Sequence, residues 1–109
     1  MKELTLKQRI KIIKDALEEK KGRDIAVLEV AELTVIADCF IIVSASNSPQ
    51  VKALAENVDT KLSENGIQPL RREGIRDARW VVLDYGDIIV HIFKDETRLM
   101  YALEQLWAK

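Results

Sequence analysis

Cysteine, histidine and proline are scarce in this 109-residue chain, which has one cysteine, one histidine and two prolines. Without a second cysteine no internal disulfide can form, and Cys39 with His91 falls short of the four ligands of a structural zinc site. Cys39 lies in an apolar run, so we expect a buried thiol that behaves as a small hydrophobic group. No repeat, linker or low-complexity segment is present, and residues 1–109 are expected to form one domain.

An excess of charge of either sign is also missing, because 17 basic and 18 acidic residues leave a net charge of −1. The chain therefore lacks the overall positive field that draws many proteins to nucleic acid. No stretch reaches the roughly 18 consecutive apolar residues of a transmembrane helix, and the first residues carry scattered charges rather than an apolar block. We expect a cytoplasmic protein that does not enter a membrane.

The densest run of β-branched and aromatic residues spans positions 79–93 and predicts a β-hairpin. Its strands are Trp80–Asp84 and Ile88–Phe93, and the short break between them contains Gly86, which supplies the positive φ that a tight turn needs. Apolar residues fall on both faces of this hairpin. It therefore requires helices on both faces of its sheet, or a partner protein on one of them.

Residues 5–30 predict a helix followed by a strand. The helix begins with a capping box of Thr5 and Gln8, and Gly22 is expected at its C-cap. The strand is expected over Asp24–Val30. The apolar residues that recur at helical spacing are Leu6, Ile10, Ile13 and Leu17.

The middle of the chain predicts a strand, a helix and a second, shorter strand. Cys39–Val43 is a β-branched run of strand length. Ser48 is expected to cap the following helix, with Pro49 as its first residue. An apolar stripe continues the helix until Asn65–Gly66, and the short strand is expected near Pro69–Arg72.

A last helix is expected after Asp95, which can cap it. Its inner stripe consists of Leu99, Leu103 and Leu106. Three bulky apolar residues lie off that stripe, namely Met100, Tyr101 and Trp107. This wide apolar surface, together with the second apolar face of the hairpin, predicts that the free protein forms a homodimer.

The corner Ser44–Ser48, where a strand leads into a helix, is the strongest sign of enzymatic chemistry. Serine hydroxyls and helix amides at such a corner can bind phosphate, as in nucleotidyltransferases. Those enzymes also have a Gly-Ser there and two magnesium-binding carboxylates at i and i+2 on a strand, and neither is present. Asp84 and Asp87 are interpreted as turn-forming residues. We expect no catalytic residue, metal or cofactor, with a degenerate or active nucleotidyltransferase as one alternative function.

Four arginines between Arg71 and Arg79 leave a small RNA-binding module as a second alternative. Acidic residues intervene and no aromatic residue is interleaved, so the pattern favours a solvated loop. His91, the sole histidine, lies in an apolar strand, where a hydrogen-bonded structural role is favoured.

Several segments spread over nearly the whole chain form a further pattern. They are Asp24–Val30, Ala37–Val43, Gln50–Val51, Glu73–Gly74, Trp80–Phe93 and Leu103–Trp107. Together they resemble the ribosomal silencing factor family, also called Iojap, and Trp-x-x-x-Asp-x-Gly-Asp-x-x-x-His in the hairpin is the most specific motif. The chain departs from the family at Cys39, where tyrosine is usual, at Ser44–Ala45, where Thr-Gly is usual, and at Met100, where tyrosine is common.

The resemblance implies an α+β fold: a mixed five-stranded sheet flanked by about three helices, with nucleotidyltransferase-like topology but without the catalytic residues. It implies a protein that binds the large ribosomal subunit through large-subunit protein fourteen, obstructs joining of the small subunit and represses translation. Direct sequence-specific binding of nucleic acid is not implied.

The contact surface that the resemblance implies is the hairpin and its turn. Trp80, Leu83 and Tyr85 are expected as anchors, and Tyr85 is expected to be an exposed aromatic residue in the turn. Asp84 and Asp87 are expected to face basic groups of the partner.

Overall fold

The computed structural model describes residues 4–31 and 37–95, and these form two helices and five strands. The elements are α1 (Leu6–Glu19), β1 (Arg23–Glu29), β2 (Cys39–Ala45), α2 (Ser48–Ser63), β3 (Arg71–Glu73), β4 (Trp80–Asp84) and β5 (Ile88–Lys94). The predicted last helix, with Leu99, Met100, Tyr101, Leu103, Leu106 and Trp107, lies outside the described residues, as does much of the connector before β2. Neither described helix is long and apolar enough to cross a membrane.

The five strands form one mixed sheet in the order β1-β2-β5-β4-β3. The β2–β5 pair is parallel, with Cys39 opposite Ile88, and the other three pairs are antiparallel. The predicted α+β fold with a mixed five-stranded sheet is thereby confirmed. β3 spans Arg71–Glu73, so it begins two residues after Pro69, where the short strand was expected to start.

Helix α1 begins as predicted and ends differently. The main-chain N–H of Gln8 donates to the Thr5 hydroxyl at 3.1 Å, and the Gln8 side chain accepts from the Thr5 N–H at 2.8 Å. At the other end Lys21, not Gly22, has the left-handed conformation, with φ 63°. Gly22 is needed for packing instead, since a Cβ there would lie 2.6 Å from a methyl group of Val43. The expected C-cap role of Gly22 is therefore wrong.

Helix α2 is capped by Asn47 and not by Ser48. The Asn47 side-chain oxygen accepts from the Gln50 N–H at 2.8 Å, so Ser48 is the first helical residue and Pro49 the second. Both residue types are good N-caps, and the sequence alone does not separate them. The predicted end of the helix is confirmed, because Gly66 has φ 77° and the Ile67 N–H donates to the Leu62 carbonyl at 2.9 Å.

The main core lies between the two helices and one face of the sheet. Fully buried side chains there include Ile13, Leu17, Leu54, Leu62, Ile41, Val43, Val81, Leu83, Ile88 and Ile92. The second face carries a smaller cluster of buried residues, consisting of Val30, Ala37, Phe40 and Ile89. Both faces of the hairpin are thus apolar, as predicted, and within the described part of the chain both helices lie on the first face.

Candidate functional site

The β4–β5 hairpin closes through the turn Tyr85–Asp87, with Gly86 at φ 91°. The Tyr85 N–H donates to the Ile88 carbonyl at 2.9 Å, and the Gly86 N–H donates to the Asp84 carboxylate at 2.8 Å. A side chain that bonds its own backbone two residues on is a common way of fixing a tight turn. The predicted hairpin and the positive φ of Gly86 are therefore confirmed.

Asp87 joins the turn to two other elements. Its carboxylate accepts two hydrogen bonds from the Arg9 guanidinium of α1, at 2.7 and 2.6 Å. Its main-chain carbonyl accepts from the N–H groups of Asp38 and Cys39 at 2.9 and 3.1 Å. The hydrogen bond from Arg9 lowers the pKa of Asp87. The basic group that faces this acid in the folded domain is thus Arg9 of the same chain.

Asp84 is also engaged within the domain. Besides accepting from the Gly86 N–H, its carboxylate lies 3.3 Å from the Arg71 guanidinium on β3. Its side chain is only 14% exposed. Neither predicted acid is therefore an isolated negative charge at the surface.

Leu83 and Tyr85 are buried, and the expected exposure of Tyr85 is wrong. Leu83 is inaccessible, Tyr85 is 8% exposed, and both belong to the core cluster. Tyr85 continues the alternation of Val81 and Leu83, so its ring falls on the face that the helices cover. Burial raises the pKa of Tyr85, and its hydroxyl has no hydrogen-bond partner among the described residues.

Trp80 and His91 form an aromatic cluster on the second face of the sheet. The Trp80 Nε1–H donates to His91 Nδ1 at 3.0 Å, and the Trp80 ring stacks on Phe93 with centroids 5.1 Å apart. His91 also meets Phe40 edge to face, with centroids 5.0 Å apart. Burial lowers the pKa of His91 to about 4. The predicted hydrogen-bonded structural role of His91 is thereby confirmed, while Trp80 is packed by its neighbours and remains partly exposed.

The Ser44–Ser48 corner is occupied by a side chain of the protein itself. The Ser46 N–H donates to the Gln50 side-chain oxygen at 2.7 Å, and the Gln50 amide nitrogen donates to the carbonyls of Lys20 and Lys21. A phosphate at this corner would have to displace Gln50. Among residues 4–31 and 37–95, no three His, Cys, Asp or Glu side chains are grouped so as to hold a metal ion.

The arginine-rich segment is largely neutralised by ion pairs. Arg72 lies 3.1 Å from Asp59 of α2, and Arg79 lies 3.5 Å from Asp77. Arg71 contacts both Glu73 and Asp84. These pairs leave little net positive charge for an RNA backbone.

Three residues with roles near the hairpin or the corner were not found from the sequence. They are Arg9, Gln50 as the residue that fills the corner, and Leu70. Leu70 is 71% exposed, and its N–H donates to the Asp84 carbonyl at 2.6 Å beside the turn. Its position as a lone apolar residue between Pro69 and Arg71 was an available signal for exposure. No sequence pattern indicates the role of Arg9, because its partner Asp87 is distant in the chain.

The fold defines a small α+β domain with a mixed sheet, and two solved structures share it. A crystal structure of a protein from Chromobacterium violaceum matches with a TM-score of 0.93 and 36% identity, covering 95% of this chain and 87% of that one. A crystal structure of a protein from Bacillus halodurans matches with a TM-score of 0.84 and 33% identity, covering 93% of this chain and 94% of that one.

The family model described as "Ribosomal silencing factor during starvation" matches residues 3–109, and the chain belongs to this family. It is 39% identical to ribosomal silencing factor RsfS of Bacillus subtilis over 98 residues, 90% of this chain and 83% of that protein. It is 32% identical to the chloroplastic protein Iojap of Zea mays over 92 residues, 84% of this chain and 40% of that protein. The resemblance drawn from the sequence is confirmed.

Proposed function

We propose that this protein binds the large ribosomal subunit through large-subunit protein fourteen and prevents the small subunit from joining. The family match across residues 3–109, which includes the whole hairpin, carries the proposal. Translation is then repressed in the cytoplasm without any chemical step. Mutually exclusive binding is sufficient, since the fraction of blocked subunits depends only on the free concentration of the factor relative to its Kd.

The proposed contact surface is the hairpin and its turn. Of the residues predicted from the sequence, Trp80, Asp84 and Asp87 are partly exposed and are proposed to lie at the contact. Leu83 and Tyr85 lie beneath them and support the strand from the core side. Because both acids are already paired with arginines, the contact is expected to depend on shape and position more than on free negative charge.

The proposal is tested by sedimenting the protein with separated ribosomal subunits, with purified ribosomal RNA and a nucleotide-turnover assay in parallel. We expect the protein to sediment with large subunits, to lower the yield of joined ribosomes and to turn over no nucleotide. Normal subunit joining with excess factor bound would refute the steric mechanism. Steady nucleotide turnover would support the transferase alternative, and tight, salt-sensitive binding to naked RNA would support the RNA-binding alternative.

A further inference from the structure

The Arg9–Asp87 pair links helix α1 to the hairpin turn with defined geometry. Both terminal nitrogens of the guanidinium contact the carboxylate, each within 2.7 Å, and the two side chains are 19% and 34% exposed. A bidentate pair of this kind restricts orientation as well as distance, which a single contact between flexible side chains does not do. The position of the turn relative to α1 is therefore restrained from the Arg9 side.

The same turn is restrained from the strand side by the main chain of Asp87. The carbonyl of Asp87 accepts the N–H groups of Asp38 and Cys39, where β2 begins. If the carboxylate were released from Arg9, these two bonds would still hold the Asp87 backbone, while the Asp87 side chain could reorient and the turn would lose its link to α1. Arg9 thus restrains the orientation of the turn relative to α1.

We propose that Arg9 is a positioning residue for ribosome binding: it holds the hairpin turn in the orientation that the subunit protein recognises. This inference rests on the proposed function. The competing interpretation is that Asp87 itself binds a basic group of the partner and that Arg9 competes for the same carboxylate. The two interpretations predict opposite effects when Arg9 is removed.

The test is the affinity of large subunits for the parent, Arg9→Ala, Asp87→Asn and the double variant, with a thermal melt of each. We expect each single variant to weaken binding by about tenfold and the double variant to be no weaker than either, because both changes break one pair. Lys11→Ala is the matched control, since it breaks the exposed Lys11–Asp15 pair on the same helix and should bind like the parent. Arg9→Lys keeps the charge and should lose part of the affinity, because it cannot make the bidentate contact.

Parent-like or tighter binding by Arg9→Ala would overturn the inference, and so would losses that add in the double variant. If Arg9→Ala or Asp87→Asn fails to melt cooperatively, the affinity of Arg9→Lys for large subunits becomes the test. Parent-like affinity of Arg9→Lys overturns the inference, and weakened affinity supports it. Absence of binding by the parent would instead refute the proposed function. The failures of the two proposals are therefore distinguishable.

Discussion

His91 is held neutral by two features of its surroundings. Its Nδ1 accepts the Trp80 Nε1–H, so the proton of the neutral ring is on Nε2, and the residue is only 7% exposed. A second ring proton would place two donors against each other and a charge in an apolar cluster. Protonation of His91 and the Trp80 hydrogen bond are therefore mutually exclusive.

This exclusion predicts that acid destabilises the fold through His91. An unfolded chain binds the proton near pH 6.5 and the folded chain only near pH 4, so the free energy of unfolding should fall by about 3 kcal/mol as the pH is lowered through that window. Chemical denaturation at several pH values measures this. His91→Asn keeps an acceptor for Trp80 and cannot titrate, so its stability should vary less between those limits. Equal pH dependence in both proteins would contradict the prediction.

Tyr85 has a buried ring and a hydroxyl without a described partner, so its two parts have opposite effects on stability. The ring fills core volume below α2. The hydroxyl pays a desolvation penalty that no described hydrogen bond offsets.

Tyr85→Ala is expected to lower the free energy of unfolding by about 3–5 kcal/mol, whereas Tyr85→Phe should be neutral or slightly stabilising. Thermal and denaturant melts of the two variants measure the difference. Subunit binding should be lost in Tyr85→Ala only to the extent that the fold is lost. A Tyr85→Ala protein that melts like the parent and no longer binds would show that the ring contacts the partner directly.

At the scale of elements, local sequence patterns were sufficient wherever a helix or strand is stabilised by its own periodicity. The β4–β5 hairpin, the buried stripe of α2 and the capping box of α1 were all predicted from residues close together in the chain. The N-cap of α2 was displaced by one residue, from Ser48 to Asn47, because adjacent residues of similar capping strength compete for one position.

Features that depend on distant segments were not predictable from the sequence. The need for glycine at position 22 comes from the approach of Val43 on β2, which no local pattern contains. Likewise, the burial of Tyr85 follows from α2 covering one face of the hairpin, and the partner of Asp87 comes from α1. The hairpin turn was predicted correctly as a structural unit, but which side chains are exposed there required the tertiary fold.

At the scale of the whole molecule, the sheet has two apolar faces, and they differ in whether helices pack on them. Within the described residues, helices pack only on the face of Val81 and Leu83. The other face carries Phe40, Ile89 and the partly buried Val82. A second copy of the chain is one means of covering such a face.

We predict that the free protein is a homodimer in light scattering at tens of micromolar. Val82→Asp places a charge on the second face and should shift the protein toward monomer. Val27→Asp is the matched control. Val27 is an exposed valine on β1, and its cross-strand partner Ile41 belongs to the face of the sheet that the helices cover. A monomeric parent would refute the prediction, and equal effects of the two substitutions would refute the assigned surface.

The parallel β2–β5 pair has a consequence for the order of folding. The β4–β5 hairpin and the β1–β2 pair join strands that are near neighbours in the chain, so they can form early from local contacts. The β2–β5 pair forms more slowly, because α2, β3 and β4 lie between the two strands in the chain. Closing this long loop costs conformational entropy before the contacts between the strands are made. The hydrogen bonds that the Asp38 and Cys39 N–H groups donate to the Asp87 carbonyl can form only at this late step. An isolated hairpin therefore lacks part of what fixes its turn, and the native geometry of the turn is completed only late in folding.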